Sequence, residues 1–286
     1  MVFQHIIYVL EIPIIFLILC QLYPGGFAID SMTWIWSALG SGCSSSAMLF
    51  YLVAMSKAEA SFVLGITASY PLVVQILAFF MLGEALVPER LFGSLLIGLG
   101  VALIGSSDHK KDEEVPIQNV PPVSLLREQR LNKVETGRRK QVKSKVLLLC
   151  AVATLLWGIT GLFDKKALLI DAPFKVYYAR CVWDGAILLL LLVGCRYFKY
   201  NCQWKAKEAW KWSGMSSVCL SFGTMSYMFA MSMATASYII VITGCYPLLM
   251  YLLAIVFLKE KMRKSRLAGV LMVVLGGLLV QGTQAV

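Results

Sequence analysis

Nine long apolar runs, at 3–23, 33–55, 60–82, 90–106, 146–165, 174–195, 210–231, 236–258 and 266–283, are joined by connections mostly too short to hold a second domain. A helix needs roughly 20 apolar residues to cross about 30 Å of hydrocarbon. In hydrocarbon the backbone N–H and C=O groups have no water to bond, so an isolated run must pair them internally as a helix. The expected fold is therefore an all-α polytopic membrane protein with nine transmembrane helices. Composition agrees, with 59% hydrophobic residues, 15% charged residues and a mean hydropathy of +0.75. Soluble domains are about half apolar and a quarter charged.

The net charge of +10 does not imply nucleic-acid binding, because the basic residues sit in connecting loops rather than on one soluble face. Such a bias is a topology signal. The eight cysteines fall mostly inside spans and form no Cys-x-x-Cys pair. They read as small buried apolar residues. The first span has Glu11 and Pro13 and no basic start, so no cleavable signal peptide is expected.

The chain repeats itself. Residues 56–103 and 232–279 align without a gap at 20 identities in 48 positions. Chance would give about one in ten, so the halves arose by duplication. The register extends upstream, where Trp34, Trp36 and Ser37 face Trp210, Trp212 and Ser213. On this register the second half has five helices and the first four. The partner of "LLLCAVATLLWGITGLF" falls before Met1. The expectation is an ancestral five-plus-five repeat whose opening helix is lost, or a start placed too late. The units are 1–106, a charged linker at 107–145, and 146–286.

These features resemble a family. A five-helix unit with Trp157-Gly158 in its first helix, a Tyr-Pro in its fourth, a Leu-x-Glu ending and a Gly-rich fifth is similar to the EamA-type unit of the drug/metabolite transporter superfamily. The resemblance implies an inverted-repeat secondary transporter with a central cavity for a small metabolite. An odd number of helices per copy gives the two copies opposite orientations, as inverted repeats require.

Orientation follows from charge. Only Arg90, Lys165, Lys166, Lys175 and Arg180, five of 26 Lys and Arg, fall on one side. The remainder accompany the N-terminus and the loops 56–59, 107–145, 196–209 and 259–265, which puts the 107–145 loop in the cytoplasm. The family arrangement implies the opposite, and the charge count is followed here as a property of this chain. The loop itself, charged and with three prolines, reads as a solvated linker.

Candidate site residues lie on three faces. Ser37, Ser41 and Ser45 recur every four residues, and Ser213, Ser217 and Ser221 are their counterparts, continued by Thr224. One face of each helix thus carries hydroxyls, which either line a polar pathway or permit close helix packing. Ser61, Pro71 and Gln75 are mirrored by Ser237, Pro247 and Tyr251, beside Tyr70 and Tyr246. A proline in a membrane helix frees a carbonyl, and prolines at matching places in two halves point to a transporter site, with a packing kink as the alternative. Among ionisable groups inside spans, Glu11, Arg180 and Asp184 stand out, the last two four residues apart and expected to pair. Trp157 offers an aromatic wall, Glu84 and Glu260 read as interface anchors, and His5 and His109 stand alone.

Walker loops, metal-ligand clusters and nucleophile elbows are missing, so neither an enzyme nor a cofactor is expected. The reading is a secondary transporter or permease for a small polar metabolite such as an amino acid, sugar phosphate or nucleotide sugar, integral and multi-pass, and in the inner or plasma membrane if the source is bacterial. The bilayer, a substrate, a coupling proton or ion and a homodimer mate are the partners it allows. The rival is a non-transporting scaffold or partner subunit. The orientation has a direct test: a cysteine placed in the 107–145 loop should resist an impermeant maleimide in intact cells, and rapid labelling would reverse the topology.

Overall fold

The apolar runs become helices that begin and end where local chemistry demands. The computed structural model describes residues 2–58, 63, 66–67, 69–106, 122–197, 207–246, 249 and 264–285. Within these, the side chains of 3, 4, 104–106, 122–143, 209, 264–266, 281, 284 and 285 are outside the description. The described residues form nine helices: α1 (Val2–Leu22), α2 (Ser31–Met55), α3 (Tyr70–Leu82), α4 (Pro88–Ser106), α5 (Pro122–Leu168), α6 (Pro173–Tyr197), α7 (Lys207–Met233), α8 (Ala236–Thr243) and α9 (Lys264–Gln281). Proline opens α4, α5 and α6, where its missing N–H has no helical partner to lose. Asp30 caps α2 by accepting from Met32 N at 2.7 Å, and α3 ends at Gly83, whose φ of 68° suits a residue without Cβ.

Three boundaries differ from the sequence expectation. The expected helix 60–82 is interrupted by a turn at Ser69 before α3 begins, and the expected helix 236–258 breaks at Gly244, where α8 ends. Both breaks fall at the repeated Tyr-Pro, because a proline cannot donate to the preceding turn and crowds its carbonyl. The linker is the third case. Residues 107–121 lie outside the description, and from Pro122 onward the chain is already helix, continuous with the span that follows.

α1, α2, the Ser144–Leu168 part of α5, and α6 are each long and apolar enough to cross a bilayer, while α3 and Leu267–Val280 of α9 are apolar but shorter. Leu17, Phe80, Leu148, Leu190 and Phe222 point outward and are exposed. An apolar surface of that kind belongs in lipid. The chain is an integral membrane protein.

The halves pack as symmetry mates. α1 lies on α6 and α4 on α9, each pair joining equivalent helices of the two repeats. At the α4–α9 contact a Cβ on Gly93 would stand 2.7 Å from the Gly276 carbonyl oxygen, and one on Gly100 would stand 2.5 Å from that of Gly269. Adding 176 to 93 and 100 gives 269 and 276, so each contact is the image of the other. Repeated glycines are explained by this close approach, which replaces a hydrophobic drive that lipid does not supply. The α2–α5 contact has no such image among the described residues: Trp36 stacks on Phe163 at 5.5 Å, but its equivalent on α7, Trp212, is exposed.

Loops at one end of the bundle interlock. Asp30 N donates to Asp171 Oδ2 at 2.9 Å, and Lys175 Nζ donates to Ala28 O at 2.8 Å. This end carries the few basic residues of the minority side and is called the far side below. Gly100→Leu should lower stability in detergent by about 1–3 kcal/mol, as overpacking does. Gly276→Leu should match it, and thermal melts of the two variants check the symmetry.

Candidate functional site: a polar cavity between the halves

A cavity of about 480 Å³ opens among α1, α2, α3, α5, α6, α7 and α8. Its charged residues come from three helices: His5 on α1, Asp164 on α5, and Arg180 and Asp184 on α6. All four are buried, with Asp164 2% and Arg180 9% exposed. Such groups are expensive in a low-dielectric interior and persist there when paired.

The pairing differs from the sequence expectation. The Arg180 guanidinium donates from Nη1 to Asp164 Oδ2, not to Asp184. Spacing four apart on one helix brings two side chains to one face, but a partner on α5 meets the guanidinium more directly. Asp184 instead faces His5, whose Nε2 lies 3.9 Å from Asp184 Oδ1 and 2.9 Å from Ser45 Oγ. His5 therefore does not stand alone. Asp164 was missed because it ends its apolar run beside Lys165 and Lys166 and reads as an interface charge. Its other oxygen, Oδ1, has no hydrogen-bond partner among the described residues and sits where Gly40 leaves room, 3.0 Å from the place a Cβ would occupy.

Of the sequence candidates, Ser45, Tyr70, Trp157, Arg180, Asp184, Thr224 and Tyr246 line this cavity. Tyr70 OH reaches Thr243 Oγ1 at 3.4 Å and so links α3 to α8 across it. Other candidates lie elsewhere. Ser41 donates to the Arg180 carbonyl at 3.4 Å, from α2 to α6, and Ser217 donates to the Ser213 carbonyl of its own helix at 2.7 Å. Ser221 and Tyr177 each donate to one carboxylate oxygen of Glu11, tying α7 and α6 to α1. Gln75 binds Ser94 and the Arg90 carbonyl between α3 and α4, and Pro71 packs against Gly244. Pro247 and Tyr251, with Ser61 and Glu260, lie outside the described residues.

On the far side of the cavity the halves are tied together by polar contacts. Glu84 caps α8, accepting from Ala236 N at 2.7 Å and Ser237 N at 3.0 Å. Arg90 donates to Thr235 Oγ1 at 3.1 Å, to Ser237 Oγ at 3.0 Å and to Thr283 Oγ1 at 2.9 Å. Lys165 Nζ closes the end of α7 by donating to Met231 O and Ala234 O at 2.6 and 2.7 Å. The Leu82-Gly83-Glu84 ending is thus a helix cap delivered from one half to the other, and a carboxylate suits the positive end of α8. A second depression of about 510 Å³, near the end of α1, is lined by aromatic groups such as Phe16, Phe27 and Tyr178 and has no acidic or basic side chain. The chemistry belongs to the central cavity.

Two related halves in a membrane, with ionisable groups turned into a cavity between them, have the architecture of a transporter. Residues 144–281 match the EamA-like transporter family. That match is consistent with an EamA-type transporter of the drug/metabolite transporter superfamily. No curated protein matches it. Among solved structures, one described only as the crystal structure of a protein matches at a TM-score of 0.68 and 15% identity, over 99% of this chain and 86% of that one. That likeness speaks to the fold alone.

The buried pair makes a quantitative expectation. Arg180→Gln leaves Asp164 charged and unpaired, which should cost about 3–5 kcal/mol of stability. Arg180→Gln combined with Asp164→Asn should recover most of that loss in a double-mutant cycle of detergent melts. Additive losses would mean that the two side chains do not depend on each other.

Proposed function

We propose that the chain is a multi-pass secondary transporter that binds a small polar solute in the central cavity and exposes it to the two sides in turn. The observation that carries this reading is the buried set of Asp164, Arg180, Asp184 and His5 around a cavity in an otherwise apolar bundle. Intramembrane ionisable groups are costly and mark solute or proton pathways by default. Breaks in α3 and α8 at the repeated Tyr-Pro support the same reading, since unwound segments at matching places in two repeats expose backbone groups to a solute. Tyr70, Trp157, Thr224 and Tyr246 supply hydroxyl and ring contacts to it. The volume, about 480 Å³, suits a metabolite rather than a bare ion.

Alternating access requires the far-side ties to part while the Gly-packed α4–α9 pair holds. The Arg90 and Glu84 hydrogen bonds add to the apolar packing of α8 on the other half, and these bonds exchange for water at little net loss. The exposed Trp212 face of α7 favours a second reading, in which another membrane protein docks there and the chain serves as a partner subunit.

Transport by purified protein in liposomes tests the first reading. Ser45→Leu should fill the cavity and abolish uptake while leaving folded yield near that of the parent. Ser217→Leu, at a helix contact, should lower yield instead. Uptake unaffected by Ser45→Leu in folded protein would remove the cavity from the pathway.

A further inference from the structure

The repeat that duplicates the helices does not duplicate all of their contacts. Along α2, Gly40, Ala47 and Ala54 recur every seven residues, and all three are buried. Seven residues make roughly two helical turns, so the three share one face. α5 lies on that face and runs antiparallel to α2. At one end Phe163 stacks on Trp36 at 5.5 Å, and a Cβ on Gly40 would stand 3.0 Å from Asp164 Oδ1. Further along, Tyr51 meets Trp157 at 5.2 Å, and Ala54 packs with Val146 and Cys150. Small residues at this spacing let two backbones approach, which is how helices hold together in lipid.

Adding 176 carries this row onto α7 as Trp212, Ser216, Gly223 and Ala230. The heptad of small residues is kept, and so is the tryptophan one turn before it. Its cover is not. Trp212 is 57% exposed, Ser216 and Gly223 are exposed, and Ala230 is half-buried. A Cβ on Gly223 would meet nothing within 4 Å. Among the described residues α7 is held to α1 through Ser221 and Thr224, which lie on another face. A helix that only meets lipid has no use for such a row. Elsewhere the outward residues of α7 are bulky, as Met215, Val218 and Phe222 are. Exposed Ser216 and Gly223 offer lipid little contact, and they become favourable only when another backbone comes close.

We propose that this face of α7 is a seat for a membrane-spanning helix taken in trans from another polypeptide, antiparallel to α7 and with the chemistry of α5. The occupant sets an aromatic side chain on Trp212 and short side chains against Ala230, as Phe163, Val146 and Cys150 do in the first half. A second copy of this chain does not meet that description, because two copies inserted the same way round bring α7 against α7 in parallel. Gly223 also lines the central cavity, so the occupant closes the cavity wall on that side. The inference rests on the partner-subunit reading for its physiological meaning and on the row of α7 alone for binding.

The test uses the purified full-length chain in lipid–detergent micelles. Its probe is a fluorescent peptide of residues 144–168, the apolar span of α5. Fluorescence anisotropy should show saturable, one-to-one binding. Gly223→Leu should weaken it by at least about tenfold, since overpacking a close contact costs that much or more. The open space around Gly223 lets that variant fold, and its thermal melt checks this. Met215→Leu, outside the row, should bind as the parent does. Absence of saturable binding, or equal binding by Gly223→Leu, overturns the proposal. So does self-association of the chain that Gly223→Leu abolishes, which would assign the face to a second copy. Photo-cross-linking in native membranes separates the proposal from the reading it rests on. Peptide binding with no partner cross-linked from position 216 keeps the seat and removes the partner-subunit reading. A partner cross-linked from position 222 and not from 216 keeps that reading and overturns the proposal.

Discussion

A charge inside a bilayer must find its counterpart within the protein, and in this chain the Arg180 guanidinium finds it on Asp164, across from α6 to α5. The rest of the centre is arranged around that contact. α2 comes close enough for Asp164 Oδ1 to fit only because residue 40 is glycine. Ser41, one residue on, binds the Arg180 carbonyl. α1 then completes the wall with His5, poised between Ser45 and Asp184. Removing one partner alone would leave the other charged and unmatched where lipid offers it nothing, so the centre depends on the two side chains being present together.

Duplication supplies the frame around this centre but not its chemistry. The α4–α9 glycines obey the repeat closely, each contact being the image of another. The ionisable groups do not obey it. The positions equivalent to Arg180 and Asp184 in the first half are Gln4 and Tyr8. One copy thus carries the charges, while the other contributes His5, Ser45 and Tyr70 to the opposite wall. A symmetric scaffold thus surrounds an asymmetric interior.

Two kinds of contact divide the labour. The glycine seam between α4 and α9 is close, apolar and resistant to sliding. The far-side ties of Glu84 and Arg90 include hydrogen bonds at helix ends, where water can replace each of them. A seam that holds beside a rim that parts is what movement between two states needs.

The membrane class, the duplication and the standing of the paired Tyr-Pro positions were legible in the residues, whereas the helix breaks beside them were not. Periodicity and composition report how each segment meets its solvent, and lipid imposes one answer on every apolar run. The serine faces were legible as faces, yet Ser45 turned out to line the cavity while Ser217 packs against its own helix, and nothing in their spacing distinguishes them. Arg180 was visible as an intramembrane charge and given the wrong partner, since a pattern along one helix reveals only neighbours on that helix. Asp164, His5 and the capping role of Glu84 emerged only in three dimensions. Each depends on the rotation and register of one helix against another, which side-chain packing across the whole bundle determines and no local stretch of sequence encodes.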